Sequence, residues 1–192
     1  MPYPRLVLAS SSPYRRELLT RLQIPFEVIS PGIDEIRHDG EAPETLARRL
    51  AGEKAAAIAQ DHPDAWIIAA DQVAVCEKAI LGKPGEPERA VAQLLRMQGK
   101  PVDFLNGLVL RAPGFEECRC VRFRIHLRPL TLEQVTRYIE RDHPLDCAGS
   151  FRSEGLGITL TSGMEGEDPT ALMGLPLIAL TEMLGHAGLA LP

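Results

Sequence analysis

The segment LVLASSSPYRR, residues 6–16, constrains the fold most, because it joins a strand pattern directly to a helix start. Leu6–Ala9 is apolar and rich in strand formers, which predicts a buried strand. Ser12 as N-cap, followed by Pro13, predicts a helix that begins at once. Free N–H groups at a helix start bind anions, and serine hydroxyls and Arg15 can complete such a site. The segment predicts a phosphate cradle, with a capped surface helix as the equally open alternative.

The composition is typical of a soluble globular protein and narrows the classes of function. With 45% hydrophobic and 24% charged residues, the chain can bury one sizeable core, so we expect one domain over residues 1–192, or one domain in two lobes. The net charge of −5 argues against a general nucleic-acid binder. No apolar run approaches the roughly 20 residues of a membrane helix. Without a signal-peptide pattern, a disulfide framework or a CxxC pair, we expect a cytoplasmic protein.

Hydrophobic periodicity predicts an α/β protein with a mixed sheet, because strands alternate with helices early and antiparallel pairing follows later. Strands are predicted over residues 6–9, 26–29, 65–70, 102–110 and 121–127, with a strand-like segment broken by glycines over 148–161. Helices are predicted over residues 13–22, 43–60, 87–97 and 131–140, with two more beginning at 168 and 176. The acidic segment between residues 30 and 42 is predicted to be a loop.

Acidic residues at two places could take part in chemistry. Asp71 follows the apolar run 66–70, at the predicted carboxyl end of a strand, where α/β proteins place ligand sites. A carboxylate there can ligate Mg²⁺ or accept a proton from water, but a turn-capping aspartate is favoured when the residue is considered alone. Asp34 and Glu35 in the acidic loop could reach a metal, with a solvated loop as the default.

Two lysines are candidate phosphate ligands. Lys83 lies in the segment ILGKP, residues 80–84, where glycine and proline frame a turn that would hold the ammonium in place. Lys54 follows Leu50 by one helical turn, which could direct it from the edge of a buried face. A solvated loop lysine and a snorkelling lysine at a core boundary are the respective alternatives.

Several common enzyme motifs are absent from the sequence. It contains no GxGxxG or GxxxxGK[ST] loop, no GxSxG nucleophile elbow and no HExxH pair. A Rossmann dinucleotide site, a Walker phosphate loop and the corresponding serine or zinc hydrolases are therefore not supported.

Seven segments, taken in order, resemble the Maf family of septum-formation-type nucleoside triphosphate pyrophosphatases. The segments are ASSSPYRR at 9–16, the helix from Arg49 to Lys54, ADQV at 70–73, LGKP at 81–84, DCAGSF at 146–151, SEG at 153–155 and GLPL at 174–177. The resemblance implies an elongated mixed sheet flanked by helices around a deep cleft, similar to inosine triphosphate pyrophosphatases. It implies hydrolysis between the α and β phosphates of a nucleotide, and a homodimer would be unsurprising.

The resemblance also implies roles for individual residues. Asp71 matches the general base of the family, and Asp71 and Glu35 are the candidates for holding a divalent cation, Mg²⁺ or Mn²⁺. The positions that match the phosphate-binding groups are Ser10, Ser12, Arg15, Lys54 and Lys83. The implied activity would keep modified nucleotides out of nucleic acids, with a link to arrest of cell division as a further implication.

Three positions point to the branch of the family that acts on 7-methyl-GTP. The commoner pattern has arginine, threonine and glutamine where this chain has Tyr14, Gln72 and Glu154. N7-methylation makes guanine cationic, so an aromatic face attracts it and a carboxylate can both accept its N–H groups and offset its charge. Tyr14 covering a helix end and Glu154 as an ordinary surface charge are the alternatives. Asn106, where threonine is usual, is a further departure.

Two other functions stay open at the level of the sequence. One is the dTTP- or UTP-preferring branch of the same family, against which the three specificity positions argue. The other is a nucleotide-binding regulator of septum formation that needs no turnover, against which the retained Asp71 argues.

Overall fold

The computed structural model describes residues 3–192 and shows a mixed α/β fold, as the periodicity predicts. The strands are β1 (Leu6–Ala9), β2 (Glu27–Ile29), β3 (Trp66–Cys76), β4 (Ala79–Leu81), β5 (Pro101–Ala112), β6 (Phe115–Leu127) and β7 (Thr161–Glu165). The helices are α1 (Pro13–Thr20), α2 (Pro43–Asp61), α3 (Pro87–Met97), α4 (Leu132–Asp142) and α5 (Leu177–His186). Single 3-10 turns cover Ala148–Ser150, Leu156–Leu160 and Pro169–Met173.

The strands form one mixed sheet in the order β2-β1-β3-β5-β6-β7, with β4 paired to β3. β1 is parallel to both β2 and β3, as expected where helices connect the strands, whereas β4 and β7 pair antiparallel with β3 and β6. The predicted mixed sheet is therefore confirmed.

The chain divides into two compact units, and β3, β5 and β6 contribute residues to both. The first unit comprises the residues up to Gln72 together with 106–121 and 168–192. In it, alternate side chains of the strands build two cores. One core joins Leu6, Leu8, Ile68 and Leu108 to leucines of α1 and α5. The other core joins the intervening residues of the same strands to the apolar face of α2, so the sheet is covered on both faces.

The second unit comprises residues 73–105 and 122–167. Thr131 and Gln134 form a capping box at the start of α4. From α4, Tyr138 donates its hydroxyl to the Ser150 carbonyl and accepts the N–H of Arg152. These bonds fix the irregular segment that follows α4.

Several sequence predictions about elements were wrong. β4 was not predicted, β6 begins at Phe115 rather than at residue 121, and the helix predicted at residue 168 is a 3-10 turn over Pro169–Met173. β3 does not end at residue 70 but continues to Cys76, because Ala74, Val75 and Cys76 pair with β4 in a hairpin. Residues 148–161 are not a broken strand but two 3-10 turns that lead into β7. α1 ends at Thr20, two residues before the predicted end, because the following N–H groups bond to carbonyls three residues back.

Two expectations about the environment can be compared with the structure. Within residues 3–192 no helix combines the length and apolar character required to span a membrane. The four cysteines, Cys76, Cys118, Cys120 and Cys147, are free thiols.

Candidate active site

Strand alternation places Asp71 and Gln72 on opposite faces of β3. The odd-numbered apolar residues of this strand pack with α2, whereas the even-numbered ones pack with α1 and α5. Because successive side chains of a strand point to opposite faces, Asp71 extends the face covered by α2 and Gln72 extends the other face. Asp71 is thus inside a strand rather than at its end, and it belongs to a covered face.

Lys54 from α2 joins two carboxylates. Its Nζ lies 2.6 Å from Asp71 Oδ1 and 2.7 Å from Glu35 Oε1. The side chains of Lys54 and Asp71 are only 5% and 9% exposed, whereas that of Glu35 is 54% exposed. Lys54 buries its ammonium, so the alternative of a snorkelling lysine is wrong. Asp71 lies in mid-strand, so the alternative of a turn-capping aspartate is also wrong.

The start of α1 has the predicted geometry. Ser12 is the N-cap, and its Oγ accepts the N–H of Arg15 at 3.4 Å. Ser10 is buried, and its Oγ accepts the Ser12 N–H at 3.1 Å. The helix start is therefore confirmed, while phosphate binding by these serines stays a prediction.

Arg15 adds a second cation near the two carboxylates. Burial lowers the pKa of its guanidinium, and the negative charges of Asp71 and Glu35 oppose that effect. Arginine nevertheless keeps its proton at neutral pH, because its ordinary pKa lies far above neutrality. Together with Lys54, the first unit therefore brings two cations and two carboxylates into one electrostatic group.

A turn after residue 168 anchors both Arg15 and Gln72. Arg15 Nε donates to the Gly174 carbonyl at 2.8 Å, and Gln72 Nε2 donates to the carbonyls of Ala171 at 2.9 Å and Leu172 at 3.1 Å. Gly174 has φ +100°, a conformation that side chains rarely adopt, so glycine suits this position. The turn thus holds a proposed phosphate ligand and a proposed specificity residue.

The buried Asp168 supports that turn from within. Its carboxylate accepts the N–H groups of Thr170 at 3.0 Å and Ile178 at 2.8 Å. The Thr170 hydroxyl in turn accepts the Leu177 N–H at 2.8 Å. Asp168 therefore caps the turn and also satisfies the start of α5.

Asn106 and Gly107 place β5 against its neighbours. Asn106 is fully buried; its Nδ2 donates to the Val121 carbonyl at 3.3 Å, and its Oδ1 accepts from Gln72 Nε2 at 3.3 Å. A Cβ on Gly107 would lie only 2.0 Å from the Ala47 carbonyl oxygen. Only glycine therefore lets α2, which carries Lys54, approach β5 this closely.

Arg49 ties down the acidic loop that carries Glu35. Its Nε and Nη2 donate to the two oxygens of Glu41 at 2.7 Å each, and Nη2 also donates to the Ile36 carbonyl at 2.9 Å. The hydrogen bonds from Arg49 lower the pKa of Glu41 to about 2. The loop is therefore held at its end and at the residue next to Glu35.

Lys83 and Glu154 belong to the second unit. Lys83 is exposed in the loop after β4, and Glu154 is exposed with one carboxylate oxygen accepting from the Ser153 hydroxyl at 2.7 Å. The Leu156 N–H donates to the buried Asp142 of α4 at 2.9 Å, which fixes the chain just beyond Glu154. The roles of Lys83 and Glu154 at the nucleotide stay predictions.

Sequence reasoning missed the groups that support the site. Gly107 could have been found, because an isolated glycine in a strand pattern signals a close backbone approach. Asp168 was read only as a helix start, although it holds the turn that binds Arg15 and Gln72. Nothing in the sequence paired Arg49 with Glu41, because a bidentate contact between a helix and an irregular loop has no periodic signal.

The chain belongs to the Maf family: residues 5–187 match the family described as Maf-like protein. This agrees with the segments that carried the resemblance, which lie between β1 and α5.

Relatives match over nearly the whole chain. It is 53% identical to the 7-methyl-GTP pyrophosphatase of Pseudomonas aeruginosa over 98% of this chain and 100% of the relative. It is 51% identical to the protein of the same name from Alcanivorax borkumensis, over 98% of this chain and 97% of that one. A solved HAM1 protein from Coxiella burnetii aligns at 13% identity, over 65% of this chain and 73% of its own, with a TM-score of 0.45.

Proposed function

We propose that this protein hydrolyses 7-methyl-GTP to 7-methyl-GMP and pyrophosphate. The observation that carries the proposal is the buried contact of Lys54 with Asp71, joined by the more exposed Glu35 and close to Arg15 at the start of α1. It supports an anion-binding site with a reactive carboxylate in a chain whose relatives are named 7-methyl-GTP pyrophosphatases.

The triphosphate binds to the basic groups of the site. The N–H groups at the start of α1, the Arg15 guanidinium and the Lys54 ammonium are suited to phosphate oxygens, because each offers donors with positive charge or a positive dipole. Lys83 supplies a further ammonium. In this proposal Ser10 and Ser12 order the loop that leads into the helix.

Asp71 accepts the proton of the attacking water. Without nucleotide, Lys54 neutralises Asp71 across 2.6 Å. Phosphate oxygens compete for the same ammonium, so nucleotide binding draws Lys54 away and leaves the carboxylate free to act as a base. The attack is at the α phosphate, and pyrophosphate leaves.

A divalent cation, Mg²⁺ or Mn²⁺, is part of the proposal. Mg²⁺ is usually held by one or two carboxylates together with phosphates and water. Asp71 and Glu35 fit that mode as two carboxylates that share one cationic partner, Lys54, which has to move before a metal ion can bind between them. Over residues 3–192 no three His, Cys, Asp or Glu side chains gather as ligands, so phosphates and water would complete the coordination. When bound, the cation would offset phosphate charge and activate water.

Selectivity for the methylated base comes from Tyr14, Gln72 and Glu154. Tyr14 is half-buried in the first turn of α1, next to Arg15, where it can stack on a base. A cationic base on an aromatic face gains about 0.5–2 kcal/mol. Glu154 accepts guanine N–H groups, and Gln72, on the face of β3 opposite to Asp71, helps to position the base.

The proposal is tested by incubating the protein with 7-methyl-GTP, GTP, dTTP and UTP, each with Mg²⁺ or Mn²⁺, and measuring the products. We expect pyrophosphate and a monophosphate, formed fastest from 7-methyl-GTP and not formed when a chelator removes the metal. Fastest turnover of UTP or dTTP would favour the other branch of the family. Nucleotide binding with no turnover would favour a regulator.

A further inference from the structure

Gln72 and Asn106, two residues at which this chain departs from the commoner family pattern, are hydrogen-bonded to each other. Threonine stands at both places in that pattern, yet here the Gln72 Nε2 donates to Asn106 Oδ1 at 3.3 Å. Gln72 is on β3 and Asn106 on β5, strands that neighbour each other in the sheet. Both side chains lie on the sheet face that packs with α1 and α5.

The surroundings of Gln72 fix the orientation of its amide. Three acceptors face its Nε2: the carbonyls of Ala171 and Leu172 and the Oδ1 of Asn106. An amide turned the other way would point its own oxygen at three acceptors, which is repulsive. The amide therefore keeps its nitrogen toward this side.

Asn106 is held in the orientation that this arrangement needs. It is fully buried, and its Nδ2 donates to the Val121 carbonyl at 3.3 Å. A flipped Asn106 would set its NH₂ against the NH₂ of Gln72 and its oxygen against the Val121 carbonyl. Because neither contact would be favourable in a buried position, Asn106 keeps its Oδ1 toward Gln72 and adds a third acceptor to the two carbonyls that orient the Gln72 amide.

We propose that Asn106 is a positioning residue for substrate selectivity, which it controls by fixing Gln72 with Oε1 as the atom offered to the nucleotide. This rests on the proposed function, since it gives Gln72 a part in reading the base. A threonine at 106 is shorter and has one hydroxyl in place of the amide, so it cannot bond to the Val121 carbonyl and to Gln72 as Asn106 does. The two N–H groups of Gln72 are then left to the carbonyls of Ala171 and Leu172 alone. The chain therefore carries glutamine and asparagine as a matched pair.

A double-mutant cycle tests the pairing through binding rather than turnover. The proteins are wild type, Asn106→Thr, Gln72→Thr and the double variant. Calorimetry gives the ratio of affinities for the α,β-methylene analogues of 7-methyl-GTP and UTP, which cannot be cleaved at the bond in question. Because turnover is not measured, failure of the hydrolysis proposal does not affect the result.

With Gln72 present, we expect Asn106→Thr to lower the ratio of the affinities, 7-methyl-GTP analogue over UTP analogue, about threefold to tenfold. A change of this size corresponds to the loss of one hydrogen bond. In the Gln72→Thr background, the same change should alter the ratio less than about twofold, since the partner is already gone. Equal losses in both backgrounds, or no loss in either, would overturn the proposal, as would failure of wild type to bind either analogue.

Val109→Ala is the matched control for a general loss of stability. Val109 is buried on the same strand but faces α2, so its truncation weakens the fold without touching Gln72. In Val109→Ala, the ratio of affinities for the two analogues should stay at the wild-type value. Should Asn106→Thr fold poorly, Asn106→Ser repeats the cycle with a smaller hydroxyl side chain, and the same ratios decide the outcome.

Discussion

The ammonium of Lys54 gives Asp71 a partner in a place where a lone carboxylate would be unfavourable. The whole Asp71 residue is 6% exposed, and burying an unpaired charge there would cost several kcal/mol. Such a carboxylate persists because the lysine is equally buried and only 2.6 Å away. In the proposed mechanism, phosphate binding at Lys54 removes this partner and so is linked to the chemistry at Asp71.

Asp71→Asn should lower kcat by about 10²–10⁴ while the fold is kept, because the amide has the same shape but cannot accept the proton. Steady-state hydrolysis of 7-methyl-GTP and circular dichroism check both statements. Asp64→Asn, the same change at an exposed turn before β3, is the control and should leave kcat unaltered. Near-normal turnover of a folded Asp71→Asn protein would remove Asp71 from the mechanism.

Lys54→Met should destabilise the protein by about 3 kcal/mol, because it leaves Asp71 buried without its cation. Adding Asp71→Asn to it should restore part of that loss, since the uncompensated charge is then gone. Urea unfolding of the two single variants and the double variant measures the coupling. Strictly additive losses would mean that the two side chains do not stabilise each other.

Helices and strands with a regular spacing of hydrophobic residues were predictable from the sequence, and elements without such a spacing were not. β1, α2 and α3 lie within about two residues of their predicted bounds, because burial of one face imposes a regular spacing. The continuation of β3 beyond Asp71 was missed because a charged and a polar residue interrupt its apolar run. Residues 148–161 were misassigned because their apolar residues pack in 3-10 turns, where strand alternation has no meaning.

The sequence predicted individual residues of the candidate site but not the contacts between them. The helix start at Ser12 follows from capping rules, and the segments containing Lys54 and Asp71 could be recognised. Contact between Lys54 and Asp71 depends on α2 lying against β3, which is a tertiary arrangement. The support that Arg15 and Gln72 receive from the turn at 171–174 joins residues about a hundred or more positions apart, beyond any local pattern.

At acid pH the folded protein should lose the stabilisation that Glu41, in the loop before α2, provides through its contact with Arg49. Arg49 lowers the pKa of Glu41 to about 2, whereas a glutamate in the unfolded chain titrates near about 4.3. A depressed pKa stabilises the folded protein fully above the unfolded value, and the effect is lost as the pH falls from there toward about 2. The difference in Tm between wild type and Glu41→Gln should therefore be constant above about pH 5 and shrink below it.

Melting curves between pH 3 and pH 7 provide this measurement, with the exposed Glu140→Gln as the control for general effects of pH. A difference in Tm that stays unchanged down to pH 3 would show that the contact of Arg49 with Glu41 does not stabilise the protein.

At the scale of the whole molecule, the residues proposed for selectivity come from distant parts of the chain. Tyr14 and Gln72 lie in the first compact unit and Glu154 in the second. Each is held by different elements: α1 for Tyr14, the turn after residue 168 for Gln72 and the segment after α4 for Glu154. Selectivity is therefore expected to respond to combined substitution more than to any single change.

The central claim is that the protein selects 7-methyl-GTP through Tyr14, Gln72 and Glu154. The most direct test measures kcat/KM for 7-methyl-GTP and for UTP and compares the ratio of the two in wild type and in the triple variant Tyr14→Arg, Gln72→Thr, Glu154→Gln. The variant removes the attraction for a cationic base and restores the commoner pattern, so the ratio should be well above one in wild type and should fall at least about tenfold, the equivalent of about 1.4 kcal/mol. Glu154→Gln alone should reduce activity on 7-methyl-GTP more than on GTP. An unchanged ratio, or a wild-type protein that prefers UTP, would contradict the account.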